Sequence, residues 1–253
     1  MIQCRHSAFS LIELSIVLVI LGLLTGAILA GQSLIRASEI RSVGVGFNRY
    51  ETAIYAFKDK YFALPGDISN ATAIWGKDAT NCNGNSGTAT IPGTCNGDGD
   101  GNVTQASVEM WRAWQHLSLA GLVEGSYAGT QVNWGANAKP GTDMPAGRIP
   151  NTGYMLLMEN NTNAEFAWTD ITFNKNMLVF GTAGSSWTKN AAITSIEAWN
   201  IDTKLDDGAP GTGKIWGGIP AGGCVTGTVS TSAQYTLTGS NSTGIKCIMA
   251  KLL

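Results

Sequence analysis

The sequence predicts an α+β fold: a long N-terminal helix, membrane-spanning in its first half, packed on a C-terminal globular domain with an antiparallel sheet and disulfide-stapled loops. Three observations predict it. From Leu14 to Ile35 no side chain carries a charge. At 1.5 Å per residue that run makes a helix of about 33 Å, enough to cross a hydrocarbon core of about 30 Å. Next, Ile40, Val43, Phe47, Tyr50, Ile54, Phe57 and Tyr61 recur at alternating spacings of three and four, an apolar seam along one helical face. Finally, short β-type segments follow a glycine-rich middle that holds Cys82 and Cys95, and Cys224 and Cys247 lie near the end of the chain.

The helix is expected from about Phe9 to Phe62. No proline interrupts it before Pro65, in the turn signal Leu64-Pro65-Gly66-Asp67. Gly44 and Gly46 weaken it locally, at about 1 kcal/mol each against alanine. Gly22 and Gly26 form a G-x-x-x-G pair that lets helix backbones approach in lipid, a weak signal because such pairs are common. A seam of this length carrying aromatics fits packing against a sheet better than an isolated coiled coil. The chain thus divides into a short positive N-terminal segment (1–8) that Arg5 keeps on the cytoplasmic side, a long helix (9–62, with 9–35 in the membrane) and a globular domain (63–253) outside the cytoplasm.

A second helix is expected over 107–122, with Trp111, Trp114 and Leu117 in the core. Sheet segments are expected near Tyr154–Met158, Glu165–Phe173, Met177–Thr182, Tyr235–Thr238 and Ile245–Met249. Thr194-Ser195-Ile196-Glu197 has capping-box spacing for a helix reaching Lys204, which ends at the turn cluster from Asp206 to Gly211.

Composition excludes several classes. Charged residues are 13% of the chain, against a usual value of about 25%. The net charge is −2, and no basic stripe offers a footprint for nucleic acid. The segment Gly208 to Ile215 nearly spells a phosphate-binding loop, but Ile215 stands where a magnesium-ligating hydroxyl is needed and no βα unit frames it. His6 and His116 are the only histidines. His6 lies in the N-terminal segment, so histidine-pair metal sites and a histidine triad have little support, and no enzyme activity is expected.

One carboxylate breaks the apolar pattern at its head. Glu13 follows Phe9 by one helical turn, in Ala8-Phe9-Ser10-Leu11-Ile12-Glu13-Leu14. A carboxylate at a helix centre costs roughly 2.5–3.5 kcal/mol on insertion scales and less near an end, so it calls for a partner. A secretory signal peptide does not account for it: the apolar run is too long and Ile28-Leu29-Ala30 is the sole cut-like site. A plain single-pass anchor has no use for the acid.

This segment closely resembles the N-terminus of type IV pilins and of type II secretion pseudopilins. The resemblance implies cleavage by a prepilin peptidase between Ala8 and Phe9 and methylation of the new amine. Ala8 stands where the family usually has glycine. It also implies a filament of identical or related subunits, built at an inner-membrane assembly platform and displayed in the periplasm or at the cell surface. Cleavage would place a free amine four residues before Glu13 on the same face. Neutralisation of that amine by Glu13, within one copy or between neighbours, would fix the stagger of Phe9 and Glu13 in a helical bundle.

Loss of the leader removes Cys4 and leaves Cys82, Cys95, Cys224 and Cys247, an even number that outside the cytoplasm suggests two disulfides with three possible connectivities. The sequence-near pairs Cys82–Cys95 and Cys224–Cys247 are favoured. Between them, Asn96-Gly97-Asp98-Gly99-Asp100-Gly101-Asn102 sets side-chain oxygens at alternate positions, resembling the first half of an EF-hand loop. Asn96, Asp98, Asp100 and Asn102 are therefore candidate calcium ligands. The pattern departs from an EF-hand at its last ligand, where Ser107 stands and Glu109 is the nearest acid. A calcium site is known in major pseudopilins, so the resemblance supports it. A solvated turn is the alternative, and for Asp202, Asp206 and Asp207 it is the better reading.

Overall fold

The computed structural model describes residues 11–78, 82, 93–104, 109–129, 138–160, 166, 168, 170, 174–184, 188, 190–218 and 222–253. It divides into two compact units, one ending at Glu39 and the other running from Ile40 to Leu253. Helix α1 spans Leu11–Tyr61, as the uncharged run and the seam predict. Phe9 lies outside the described residues.

In the first unit every large apolar side chain from Leu11 to Ile35 is exposed by half or more. The polar side chains of this stretch turn back on their own helix. Ser15 Oγ donates to Ile12 O (2.9 Å), Thr25 Oγ1 to Leu21 O and Gly22 O (3.0 Å each), and Ser33 Oγ to Ala30 O (2.8 Å). A hydroxyl satisfied in this way asks nothing of its surroundings, which is what a hydrocarbon environment requires.

The second unit begins with the seam. Val43, Phe47, Tyr50, Ile54 and Phe57 are buried, and Ile40 and Tyr61 pack at the edge of the core. Downstream come α2 (Ala71–Trp75), α3 (Glu109–Leu119), β1 (Thr152–Asn160), β2 (Asn174–Thr182), β3 (Ile193–Thr194), α4 (Ser195–Leu205), β4 (Ile215–Gly218), β5 (Val225–Thr226), β6 (Gln234–Tyr235), α5 (Ser240–Thr243) and β7 (Ile245–Leu252). The main sheet runs β1-β2-β7, with β3 and β4 both pairing with β7, and every pairing is antiparallel. A two-stranded sheet joins β5 and β6.

Aromatic contacts fix the seam on the sheet and on α3. Phe47 meets Tyr154 edge-on with centroids 5.7 Å apart and Phe180 at 6.5 Å, while Tyr50 meets Trp114 at 5.1 Å. Such edge-to-face pairs add about 0.5–1.5 kcal/mol beyond area burial. At the C-terminal strand, Lys251 Nζ reaches Glu51 Oε2 (2.7 Å) and Asn48 Oδ1 (2.8 Å), tying β7 to α1. Gly46 has a packing role. A Cβ there would lie 2.1 Å from the Tyr154 hydroxyl, which donates to Val43 O (3.2 Å). The glycine that weakens the helix is a notch for a tyrosine from β1.

The elements follow the sequence reading with stated differences. The helix expected over 107–122 is observed as α3, Glu109–Leu119, with Trp111, Trp114 and Leu117 buried; 107 and 108 lie outside the described residues and the chain turns from Ala120. Thr194 and Glu197 close the reciprocal capping box of α4. The segment from Gly208 leads through a turn into β4 at Ile215, and β3, β4 and β5 come from stretches with no alternating signal. Tyr235–Thr238 yields strand only over Gln234–Tyr235, because the partner strand β5 is two residues long. The strand expected at Glu165–Phe173 falls mostly outside the described residues; within it, Phe166 and Trp168 are buried but not in strand.

Candidate functional site

Two places carry the functional residues read from the sequence. The first is the head of α1. Ala8 and Phe9 lie outside the described residues, and Glu13 stands in the first turn of α1 on an exposed surface. Further along, a Cβ placed on Gly22, Gly26 or Gly31 would meet nothing within 4 Å. The small residues thus open onto free helix surface, where close helix approach needs them.

The second is the glycine-alternating loop. Its backbone closes on two acids that stand outside the motif. Asp67 Oδ1 accepts from Gly99 N (2.7 Å) and Asp67 Oδ2 from Gly101 N (3.0 Å). Glu109 Oε1 accepts from Asp98 N (3.0 Å) and Oε2 from Thr104 N (2.9 Å). The glycines permit this path: Gly99 and Gly101 have φ of 78° and 88°, a region L side chains rarely adopt. Successive amides turned onto one anion form a nest. Here the anion is the protein's own carboxylate.

Three of the four candidate calcium ligands accept a backbone hydrogen bond through a side-chain oxygen. Asn96 Oδ1 accepts from Thr72 N (2.8 Å), Asp98 Oδ1 from Asp100 N (3.1 Å) and Asp100 Oδ1 from Asn102 N (2.7 Å). Asp98 joins a carboxylate cluster with Asp67 and Glu109, whose ligand oxygens all lie within 4.8 Å of one another. Burial pushes the Asp67 carboxyl up to about 6; its two amide bonds oppose that rise, and the charges of Glu109 and Asp100 add to it. In the sequence Asp67 belongs to a turn signal and Glu109 stands out of register with the EF-hand pattern. The signal that could have found them is the density of glycine amides, which need acceptors.

Below this loop lies a buried polar network. Gly66 N donates to His116 Nδ1 (2.9 Å), so the ring proton belongs on Nε2, which faces Thr94 Oγ1 at 2.9 Å. Thr94 Oγ1 in turn donates to Gln115 Oε1 (2.7 Å), which also accepts from Arg112. Burial, with the Arg112 charge adding to it, pushes His116 down to about 3. The neutral histidine is a structural acceptor here, placed by α3 against Gly66.

Both favoured cysteine pairs are bonded. Cys82–Cys95 and Cys224–Cys247 have Cα separations of 5.2 Å and 5.0 Å. The first closes the stretch ahead of the glycine loop and the second anchors β7 to the residue before β5.

The profile of the prokaryotic N-terminal methylation motif matches residues 4–29. The chain therefore carries the motif that is the hallmark of type IV pilins and pseudopilins, ahead of a helix long and apolar enough to cross a membrane. No curated protein and no solved structure matches this chain.

Proposed function

We propose that this protein is a structural subunit of a type IV pilus or pseudopilus. It is inserted in the inner membrane as a precursor, cut by prepilin peptidase between Ala8 and Phe9, methylated on Phe9, and assembled through α1. The observation that carries this reading is the methylation motif at residues 4–29 running into a helix whose apolar side chains stay exposed. That helix has about 0.8 kcal/mol per buried methylene to gain from lipid or from other helices, and its hydroxyls are already satisfied. Glu13 answers the new amine and sets the stagger between copies. Secretion, adhesion or motility would follow from the filament.

Intact-mass measurement of the natural product tests the first step. Loss of residues 1–8 with gain of one methyl group supports the reading; a chain still beginning at Met1 overturns it. Replacing Glu13 with alanine tests the second step, and is expected to leave membrane insertion intact while abolishing filaments. A minor or tip subunit shares the same processing and would differ by its low copy number in purified filaments. A membrane-tethered binding module that never polymerises would keep its leader.

The calcium reading of the loop rests on Asp67, Asp98 and Glu109. A divalent cation there would offset the repulsion among three close carboxylates. Calcium is then expected to raise the melting temperature over an EDTA control, and Asp98→Asn to remove the rise. No rise in the native chain leaves the loop as a clasp closed by its own amides.

A further inference from the structure

A groove in the second unit has a chemistry that neither the methylation motif nor the sheet calls for. It encloses about 590 Å³ between α4 and the segment that carries β6. That is within the range of about 300–1,000 Å³ usual for small-ligand sites. Trp199 of α4 lines it and remains 38% exposed, and Leu237 lines it at 41% exposed. The exposed part of the indole is apolar ring surface that a ligand could cover.

The position is built. Gly208, with φ of 77°, passes the groove at a point where a Cβ would lie 2.8 Å from Thr203 Oγ1 and 3.6 Å from Trp199 Nε1. The Trp199 ring edge is thus backed by main chain. Tyr235 forms part of the floor, 4% exposed, with its hydroxyl held by Asp202 Oδ2 at 2.8 Å. The remaining polar groups are uncharged: the hydroxyls of Thr231 and Ser232 and the amide of Gln234, all on exposed residues. Among the described residues the Ser232 hydroxyl and the Gln234 side-chain amide have no protein partner.

The lining sorts ligand classes. It contains no charged side chain, so phosphates, nucleotides and carboxylate ligands find no cation to pair with. Acids stand behind the lining and disfavour anions further: Asp202 accepts from the Tyr235 hydroxyl and Gly208 N, Asp207 from Ala209 N, and Asp170 from Ser230 N and Oγ. A lipid tail would leave the hydroxyls and the amide unpaired. What remains is a molecule with an apolar face and a rim of neutral donors and acceptors. A sugar ring has both: its axial C–H face packs on an aromatic surface, and its hydroxyls exchange hydrogen bonds with amides and hydroxyls.

We infer that this groove binds a neutral carbohydrate, with Trp199 as the stacking surface and Ser232 and Gln234 as hydrogen-bonding groups. The inference does not rest on filament assembly, since the groove lies wholly within one copy of the second unit.

The test uses the full chain in a detergent without a sugar headgroup, with saturation-transfer NMR against lactose, maltose, mannobiose and diacetylchitobiose, and sialyllactose as the charged control. At least one neutral disaccharide is expected to show transfer to its ring protons. Trp199→Ala should weaken it at least tenfold, Trp199→Phe less, and Gln234→Ala a few-fold, with melting temperatures matching the native chain. Gln234 is a surface residue, so its variant keeps the test decisive if Trp199→Ala fails to fold. Absence of transfer to all four neutral sugars overturns the proposal. So does binding unaffected by Trp199→Ala and Gln234→Ala, or stronger binding of sialyllactose.

Discussion

Leu18 and Leu117 are the same residue, each in a helix, and they live in opposite solvents. Leu18, in the first unit, is 62% exposed; Leu117, in the second, is fully buried beside Trp114. From Leu11 to Ile35 the large apolar side chains are exposed, and Ser15, Thr25 and Ser33 bond to their own helix. In the second unit most large apolar side chains are buried, and Asp67, Glu109 and Lys251 bond across elements. Residue type alone does not say which way a side chain will face. Pattern does: the first stretch is apolar all round, while the second has a seam.

Pairs of like substitutions, one in each unit, break or sharpen this comparison. The largest effect is expected from leucine. Leu117→Ala should cost about 2–5 kcal/mol of folding stability through lost burial and a cavity. Leu18→Ala should leave the unfolding transition of the second unit unchanged, as read by denaturant titration of the full chain in detergent. Equal losses would mean that both units share one core.

Next is acid. The buried titratable groups lie in the second unit. Its His116, held near 3 when folded, returns to about 6.5 when unfolded. The unfolded state therefore binds the extra proton between those values, and stability is full above pH 6.5 and lost as pH falls toward 3. Asp67 and Asp202, pushed up by burial to about 6 and about 7, act in the opposite sense. They lose stability as pH rises through those values. The His116 contribution is read as the difference between native and His116→Asn across the range. The gap should widen with pH up to neutrality; a constant gap would remove His116 as its source.

Glycine gives a smaller contrast. Gly46→Ala drives a methyl into Tyr154 and is expected to destabilise by about 1–3 kcal/mol, as overpacking does. Gly22→Ala meets open space and should not move the melting temperature. The smallest contrast is threonine. Thr194→Ala removes the cap of α4 at about 1 kcal/mol. Thr25→Ala removes a hydroxyl bonded only within its own helix and should be silent in the same melt.

Local signals made much of this legible. The helix, its seam and the capping box depend on residues three or four apart, and neighbours on a helix are neighbours in sequence. The cysteine pairs were legible for a related reason, since separations of 13 and 23 close short loops. The glycine loop was legible as a tight, polar loop. Its partners were not: the spacing suggested oxygens converging on a cation, whereas the backbone turned its amides onto Asp67, 32 residues before Gly99.

The sequence by itself determined a helix with a charge-free run from Leu14 to Ile35 and one acid at its head, because a single helix in lipid answers to its own side chains. It determined, too, that a seam would follow and be covered. Only the tertiary structure decided what covers it: Tyr154 in the notch at Gly46, Trp114 against Tyr50, His116 under Gly66. Those contacts join residues roughly fifty to more than a hundred positions apart, and no local periodicity encodes which distant side chain will fill a given space. The groove at Trp199 belongs with them, since α4 and the β6 segment meet only when the sheet has formed.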